Sequence, residues 1–187
     1  DSSGNSASAT QTITVVDTTL PSIITPSSIE IEISDNSGME LDLGLAISED
    51  IVDPQPQLTN DAPETFPLGE TIVTWTATDS SGNSASATQT ITVVDTTSPT
   101  IIAPESITKE AINNSSNSIK IGMPETEDIV EISSITNNAP ETFPLGETIV
   151  TWTATDSSGN SASATQTITV VDTTLPSIIT PDDISIE

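Results

Sequence analysis

Apolar and polar positions alternate along two long neighbouring runs of the chain. In TIVTWTATD, residues 71–79, Val73, Trp75 and Ala77 share one face, and Thr74, Thr76 and Thr78 share the other. In the run that follows, Ala85, Ala87, Ile91 and Val93 alternate with Ser84, Ser86, Thr88, Thr90 and Thr92. A period of two with a Thr-rich outer face predicts strands with one buried side. Between them, Asp79-Ser80-Ser81-Gly82-Asn83 has turn chemistry: Gly82 offers a positive φ, and Asp79 can accept a bond from the backbone two residues on. The stretch predicts a β-hairpin.

The same pattern returns. FPLGETIVTWTATDSSGNSASATQTITVVDTT occupies residues 66–97 and, unchanged, 143–174, and its tail opens the chain as residues 1–19. The DSSGN copies start at Asp1, Asp79 and Asp156, and the DTT copies at Asp17, Asp95 and Asp172, spaced 78 and then 77 residues apart. The chain therefore reads as a tandem array. We expect residues 1–17 to be the last strand of an upstream repeat, 18–95 and 96–172 to be whole repeats, and 173–187 to hold the first strand of another.

Shorter patterns fill out each repeat. Residues 22–25 predict a strand, as do Ile29, Ile31 and Ile33 alternating with Glu30 and Glu32. Met39, Leu41, Leu43, Leu45 and Ile47 alternate with polar or small residues and predict one long strand, whose inner face recurs as Ile119, Ile121 and Met123. An acidic loop at Glu49, Asp50 and Asp53 matches Glu127, Asp128 and Glu131, and a short strand is expected near residues 56–59. Phe66 and Trp75 are expected in the core. Pro21 stiffens a short DTTLP linker, which favours a semi-rigid rod.

Together, FPLGETIVTWTATDSSGN and ITVVDTTSPTIIAP resemble the hyalin repeat, or HYR, family: a Pro-small-Gly turn, a T-V-x-aromatic-x-A-x-D strand, a G-N turn, a V-x-D end and a Pro-led restart. The resemblance is strong in the second half of each repeat and weaker over residues 29–52. It implies an all-β chain of tandem immunoglobulin-like β-sandwich domains stacked head to tail, in an extracellular protein linked to adhesion. Many HYR modules carry cysteines, and this chain has none.

Charge narrows the function. Twenty-eight acidic residues face two basic ones, Lys109 and Lys120, for a formal charge of -26. Such a chain repels nucleic acid and anionic membranes and attracts cations. Without Cys or His, thiol- and imidazole-based nucleophiles are unavailable and zinc is disfavoured. No apolar run approaches the ~18 residues of a membrane helix. Paired carboxylates could serve a glycosidase, but these recur in every repeat without an aromatic cleft, so we expect no enzyme. With few large core residues and no disulfide, stabilisation is expected from neighbouring repeats or a metal.

In a sandwich of the implied kind, the linker, the B–C loop and the F–G turn meet at one end. That would gather Asp17, Asp50, Asp53, Asp79 and Asn83 at one junction, and Asp95, Asp128, Glu131, Asp156 and Asn160 at the next. Carboxylates with a side-chain carbonyl make an oxygen-rich site suited to Ca²⁺. The competing reading is that Asp79 and Asn83 cap a turn, Asp95 is a linker residue and the acidic loop is simply solvated. Glu70 and Glu147 are weaker candidate ligands. The expected function is a non-enzymatic extracellular structural array (a surface stalk, filament or surface-layer element) with interdomain Ca²⁺, and with neighbouring repeats and copies of itself as partners. The alternative is an adhesin whose divergent loops, residues 35–38 and 113–117, bind a protein or glycan. Cation sequestration is a third reading. Asn113 and Asn114 begin overlapping sequons and could carry glycan on a secreted chain.

Overall fold

The computed structural model describes residues 1–35, 38–114 and 117–185. Among these all regular structure is β, in two tandem units, 1–94 and 95–187. Each is an immunoglobulin-like sandwich. Asn36, Ser37, Ser115 and Ser116, within the two divergent loops, lie outside the described residues, as do Ile186 and Glu187.

In the first unit, β1 (Ser22–Ile24), β2 (Ile29–Glu32), β3 (Ile47–Glu49), β4 (Gln57–Asn60), β5 (Gly69–Thr78) and β6 (Ser84–Val94) follow in order. One sheet runs β2-β6-β5-β4, with β2 parallel to β6 and the other pairs antiparallel. The second layer is the antiparallel pair β1-β3, and an isolated bridge joins Met39 to Phe66. The expected hairpin forms about the Asp79–Asn83 turn, with Trp75 opposite Ala87 and Thr76 opposite Ser86. Val73, Trp75, Ala77, Ile91 and Val93 point inward with Phe66 and are buried, each large apolar side chain contributing about 2 kcal/mol by leaving water. Outward, Thr76–Ser86 and Thr78–Ser84 hydroxyls bond across the strands at 3.1 and 3.0 Å.

The second unit repeats this with β7 (Thr100–Ile102), β8 (Ile107–Glu110), β9 (Glu125–Glu127), β10 (Ile132–Asn137), β11 (Gly146–Asp156) and β12 (Ser161–Val171), in sheets β10-β11-β12-β8 and β7-β9. Phe143, Val150, Trp152, Ile168 and Val170 form its core. β10 is longer than β4 and carries an irregularity between Ile132 and Ser134. The first unit has Pro54 and Pro56 here, which have no N–H to give a ladder.

A buried glutamine ties the layers in each unit. Gln89 accepts from Trp75 Nε1 at 3.0 Å and donates to the carbonyls of Ser27 and Leu43 at 2.9 and 3.1 Å. Gln166 does the same for Trp152, Glu105 and Ile121.

The long strand expected over residues 39–47 does not form. Gly44 sits at φ 80°, a left-handed turn of the backbone that resets the alternation. Before it Met39, Leu41 and Leu43 are half-buried; after it Ala46 is 8% exposed while Leu45 is 90% exposed. Gly122 repeats the reset at φ 83°, so Met123 is exposed rather than on the inner face. Residues 6–17 and 173–185 carry the sequences of strands but no ladder partner, and hold no strand.

Candidate metal centre

The DSSGN turn builds itself. Asp79 Oδ1 accepts from the N–H groups of Ser81 and Asn83 at 2.9 and 2.8 Å, and its Oδ2 accepts from Asn83 Nδ2 at 2.8 Å. Asp1 makes the same three bonds at 2.9, 3.0 and 3.0 Å although it is exposed, so the turn is encoded locally. Gly82 takes φ 90° within it. The linker aspartates hold a second small turn: Asp95 Oδ1 accepts from the Thr97 N–H and hydroxyl at 3.1 and 2.7 Å, and Asp17 Oδ1 from those of Thr19. In the loop after the second-layer strand, Asp50 and Asp128 each accept from the next residue's N–H at 2.8 Å.

These three local devices converge within each unit. Asp17, Asp50 and Asp79 bring carboxylate oxygens within 4.8 Å of one another, and Asp95, Asp128 and Asp156 do the same. Asp17, Asp50 and Asp128 each spend one oxygen on the local turn and leave the other buried without a partner: Asp17 Oδ2, Asp50 Oδ1 and Asp128 Oδ2.

The remaining candidates lie differently. Asp53 uses Oδ1 on the Gln55 N–H and Oδ2 on the Ser80 N–H, both at 2.9 Å, and stays out of the cluster. In the second unit the Glu131 backbone carbonyl takes that place, accepting from Ser157 N at 2.8 Å, and its side chain is exposed. Asn83 and Asn160 enter the site through their amide nitrogens. Their amide NH2 groups donate to Asp79 and Asp156 and reach the Asp17 and Asp95 carbonyls at 3.3 and 3.1 Å. They fasten the linker to the turn. Glu70 and Glu147 are exposed on the hairpin strands and belong to neither cluster. Thr19 and Thr97, which orient the linker carboxylates, were not singled out from sequence; the recurrent DTT triplet was their signal.

The electrostatics follow from this packing. Burial disfavours ionisation of Asp79 and Asp156, but the side-chain and backbone bonds from Asn83 and Asn160 outweigh it and hold both below the usual carboxylate value. Asp128 goes the other way: burial, then the neighbouring Asp156 and Asp95, push its carboxyl up against the opposing Ile129 N–H. Three crowded carboxylates favour either a retained proton or a cation. Ca²⁺ takes six to eight oxygens at ~2.3–2.6 Å, which sets ligand oxygens no more than about 5 Å apart. The spacing and the orphaned oxygens fit such an ion, with carbonyls and water left to complete the shell. Nothing in the chain offers nitrogen from histidine or sulfur from cysteine.

Comparison with known proteins accords with the repeat pattern. The chain is 38% identical over 214 residues to hyalin of Strongylocentrotus purpuratus, covering 95% of this chain and 16% of that protein. It is 35% identical over 213 residues to hyalin of Lytechinus variegatus, covering 98% of this chain and 38% of that protein. It thus spans well under half the length of either relative. Among solved structures, Drosophila N-cadherin EC1-4 aligns at a TM-score of 0.41 and 17% identity, over 82% of this chain and 50% of that one. The model of the HYR domain matches twice, at residues 16–93 and 94–170, and the chain belongs to the HYR domain family.

Proposed function

We propose that these repeats form part of a non-enzymatic extracellular structural array, a stalk, filament or surface-layer element, in which each unit takes up Ca²⁺ at its carboxylate cluster. One observation carries the reading. The same three positions in both units crowd carboxylates together and leave buried oxygens without partners. An ion there joins the entering DTT segment to two loops of the unit it enters, and so shortens the free length of chain between successive repeats. The extracellular setting rests on the family, and no helix among the described residues is long and apolar enough to cross a membrane.

Thermal unfolding with and without millimolar Ca²⁺, against NaCl at matched ionic strength, tests it. At 100 times its dissociation constant a ligand bound only by the folded state adds ~2.7 kcal/mol per site. In units of this size that raises Tm by roughly 10 °C or more. Scattering should shift toward a stiffer particle in parallel. A Ca²⁺ curve superimposed on the NaCl curve would sink the metal reading.

A further inference from the structure

Both lysines of the chain line one groove. Lys109 on β8 and Lys120 after the Asn117–Phe143 bridge border a depression of about 370 Å³ with Ile112, Asn117, Ser118 and Ile119. Among the described residues neither ammonium takes part in an ion pair. The one carboxylate in the lining, Glu110, accepts from the Thr173 N–H and hydroxyl at 2.7 and 2.9 Å and from the Thr174 hydroxyl at 3.2 Å. Those bonds hold it ionised, below its ordinary pKa, and engage it away from the lysines.

The first unit carries no lysine at the matching positions, and at one of them the charge reverses. Glu30, Glu40 and Asp42 stand where the second unit has Thr108, Ser118 and Lys120, and Ile31 stands where it has Lys109. Glu32 and Glu110 are common to both. Glu30, Glu40 and Asp42 are exposed. The contrast is local, since residues 60–97 and 137–174 differ only at Asp61, which is Asn138. The exposed segment that holds Glu40 and Asp42 in the first repeat therefore holds Ser118 and Lys120 in the second.

We propose that the Lys109–Lys120 groove is an interaction surface for a second copy of this chain, and that it receives the exposed Glu40–Asp42 segment of that copy's first repeat. A chain of charge -26 with both of its lysines here offers copies that approach complementarity at this place. The aliphatic lysine stems with Ile112 and Ile119 supply apolar contact beneath the charges. Opposite charges at such a contact set register and association rate, and their effect weakens with salt. The inference deepens the array reading by naming a contact between copies, and it does not involve the carboxylate clusters.

Sedimentation velocity of the 187-residue chain in chelator tests it. Wild-type protein should sediment faster with increasing concentration at about 50 mM NaCl and revert to monomer at about 0.5 M, where the screening length has shrunk to a few ångströms. The K109E/K120D variant and the E40K/D42K variant should each lose self-association by about tenfold or more, and an equimolar mixture of the two should recover it. Far-UV spectra and melts check folding. If either set lowers Tm, K109Q/K120Q and E40Q/D42Q replace them and are read by loss of association. The proposal is overturned if the wild type stays monomeric at every concentration, if folded variants associate as wild type does, or if the mixture fails to recover. Binding of a sulfated polysaccharide at the lysines without self-association also overturns it. Because chelator is present throughout, failure here leaves the Ca²⁺ reading standing, and a missing Ca²⁺ response leaves this contact standing.

Discussion

Asp128 shows how much a single carboxyl can report. Its pKa is raised from 3.8 by burial and by Asp156 and Asp95, so the cation-free folded state holds a proton more tightly than the unfolded chain does. Its effect on stability is most favourable below pH 3.8 and is progressively lost as pH rises through the raised folded-state value. Asp79 and Asp156, with lowered values, act oppositely: their contribution is present above the unfolded pKa and is lost as pH falls through the folded one. Asp128→Asn should therefore raise the Tm of chelator-treated protein at pH 7, by an amount that shrinks as pH falls below 4, and should abolish the Ca²⁺-dependent rise of its unit. A pH series of melts in chelator and in Ca²⁺ reads both effects. A variant that keeps the full Ca²⁺ response would remove Asp128 from the ligands. The aspartates were visible in the sequence because turn, linker and loop each repeat them. The amide orientation of Asn83 and Asn160 was not, since either end of an amide can face a carboxylate until the turn geometry fixes which donates. Gln89 and Gln166 were passed over because a polar residue at an inward position looks like a lapse in alternation, whereas here it caps the Trp indole and two carbonyls.

Among elements, the hairpins were legible and the segment after the second strand was not. In β5 and β6 the alternation keeps one phase on either side of Gln89, and the Asp-Ser-Ser-Gly-Asn turn fixes the register. Over residues 39–47 the period of two also looks continuous, but glycine hides the phase change because it belongs to neither face. Gly44 and Gly122 each take a positive φ with a proline alongside, Pro26 and Pro104, at 3.4 and 3.5 Å from where a Cβ would stand. Space is adequate, so the constraint is conformational. Gly44→Ala should cost about 1–2 kcal/mol, the penalty for a left-handed L-residue, and lower the urea midpoint with little change in m. A variant of wild-type midpoint would mean that the backbone can reset its faces without glycine. The contrast between β4 and β10 has a cause that was readable, in Pro54 and Pro56, although the extra pairing in β10 also needed Ser133, whose hydroxyl bonds the Thr155 and Asp156 carbonyls at 2.9 and 2.6 Å.

For the molecule as a whole, self-similarity at a fixed period exposed the tandem array, the resemblance to the HYR family supplied the sandwich, and charge separates general from specific cation effects. Twenty-eight acidic groups with two lysines repel one another more in the compact state than in the expanded one. Screening alone should therefore stabilise the fold. In chelator, Tm should climb smoothly as NaCl rises from about 10 mM to about 1 M, over which the Debye length falls from ~30 to ~3 Å. Ca²⁺ acts on the same diffuse field, and part of any Ca²⁺ effect at low salt is therefore not a site. The part that belongs to the clusters is bound by crowded, partly buried oxygens, which salt screens less. The Ca²⁺ increment should accordingly shrink with NaCl but remain at about 1 M, and at that salt it should vanish in the Asp128→Asn and Asp50→Asn double variant. If the wild-type increment disappears by about 0.5 M, Ca²⁺ is acting as diffuse counter-charge. The carboxylate triads would then be solvated turns, and any stiffening of an array would be sought in contacts between copies.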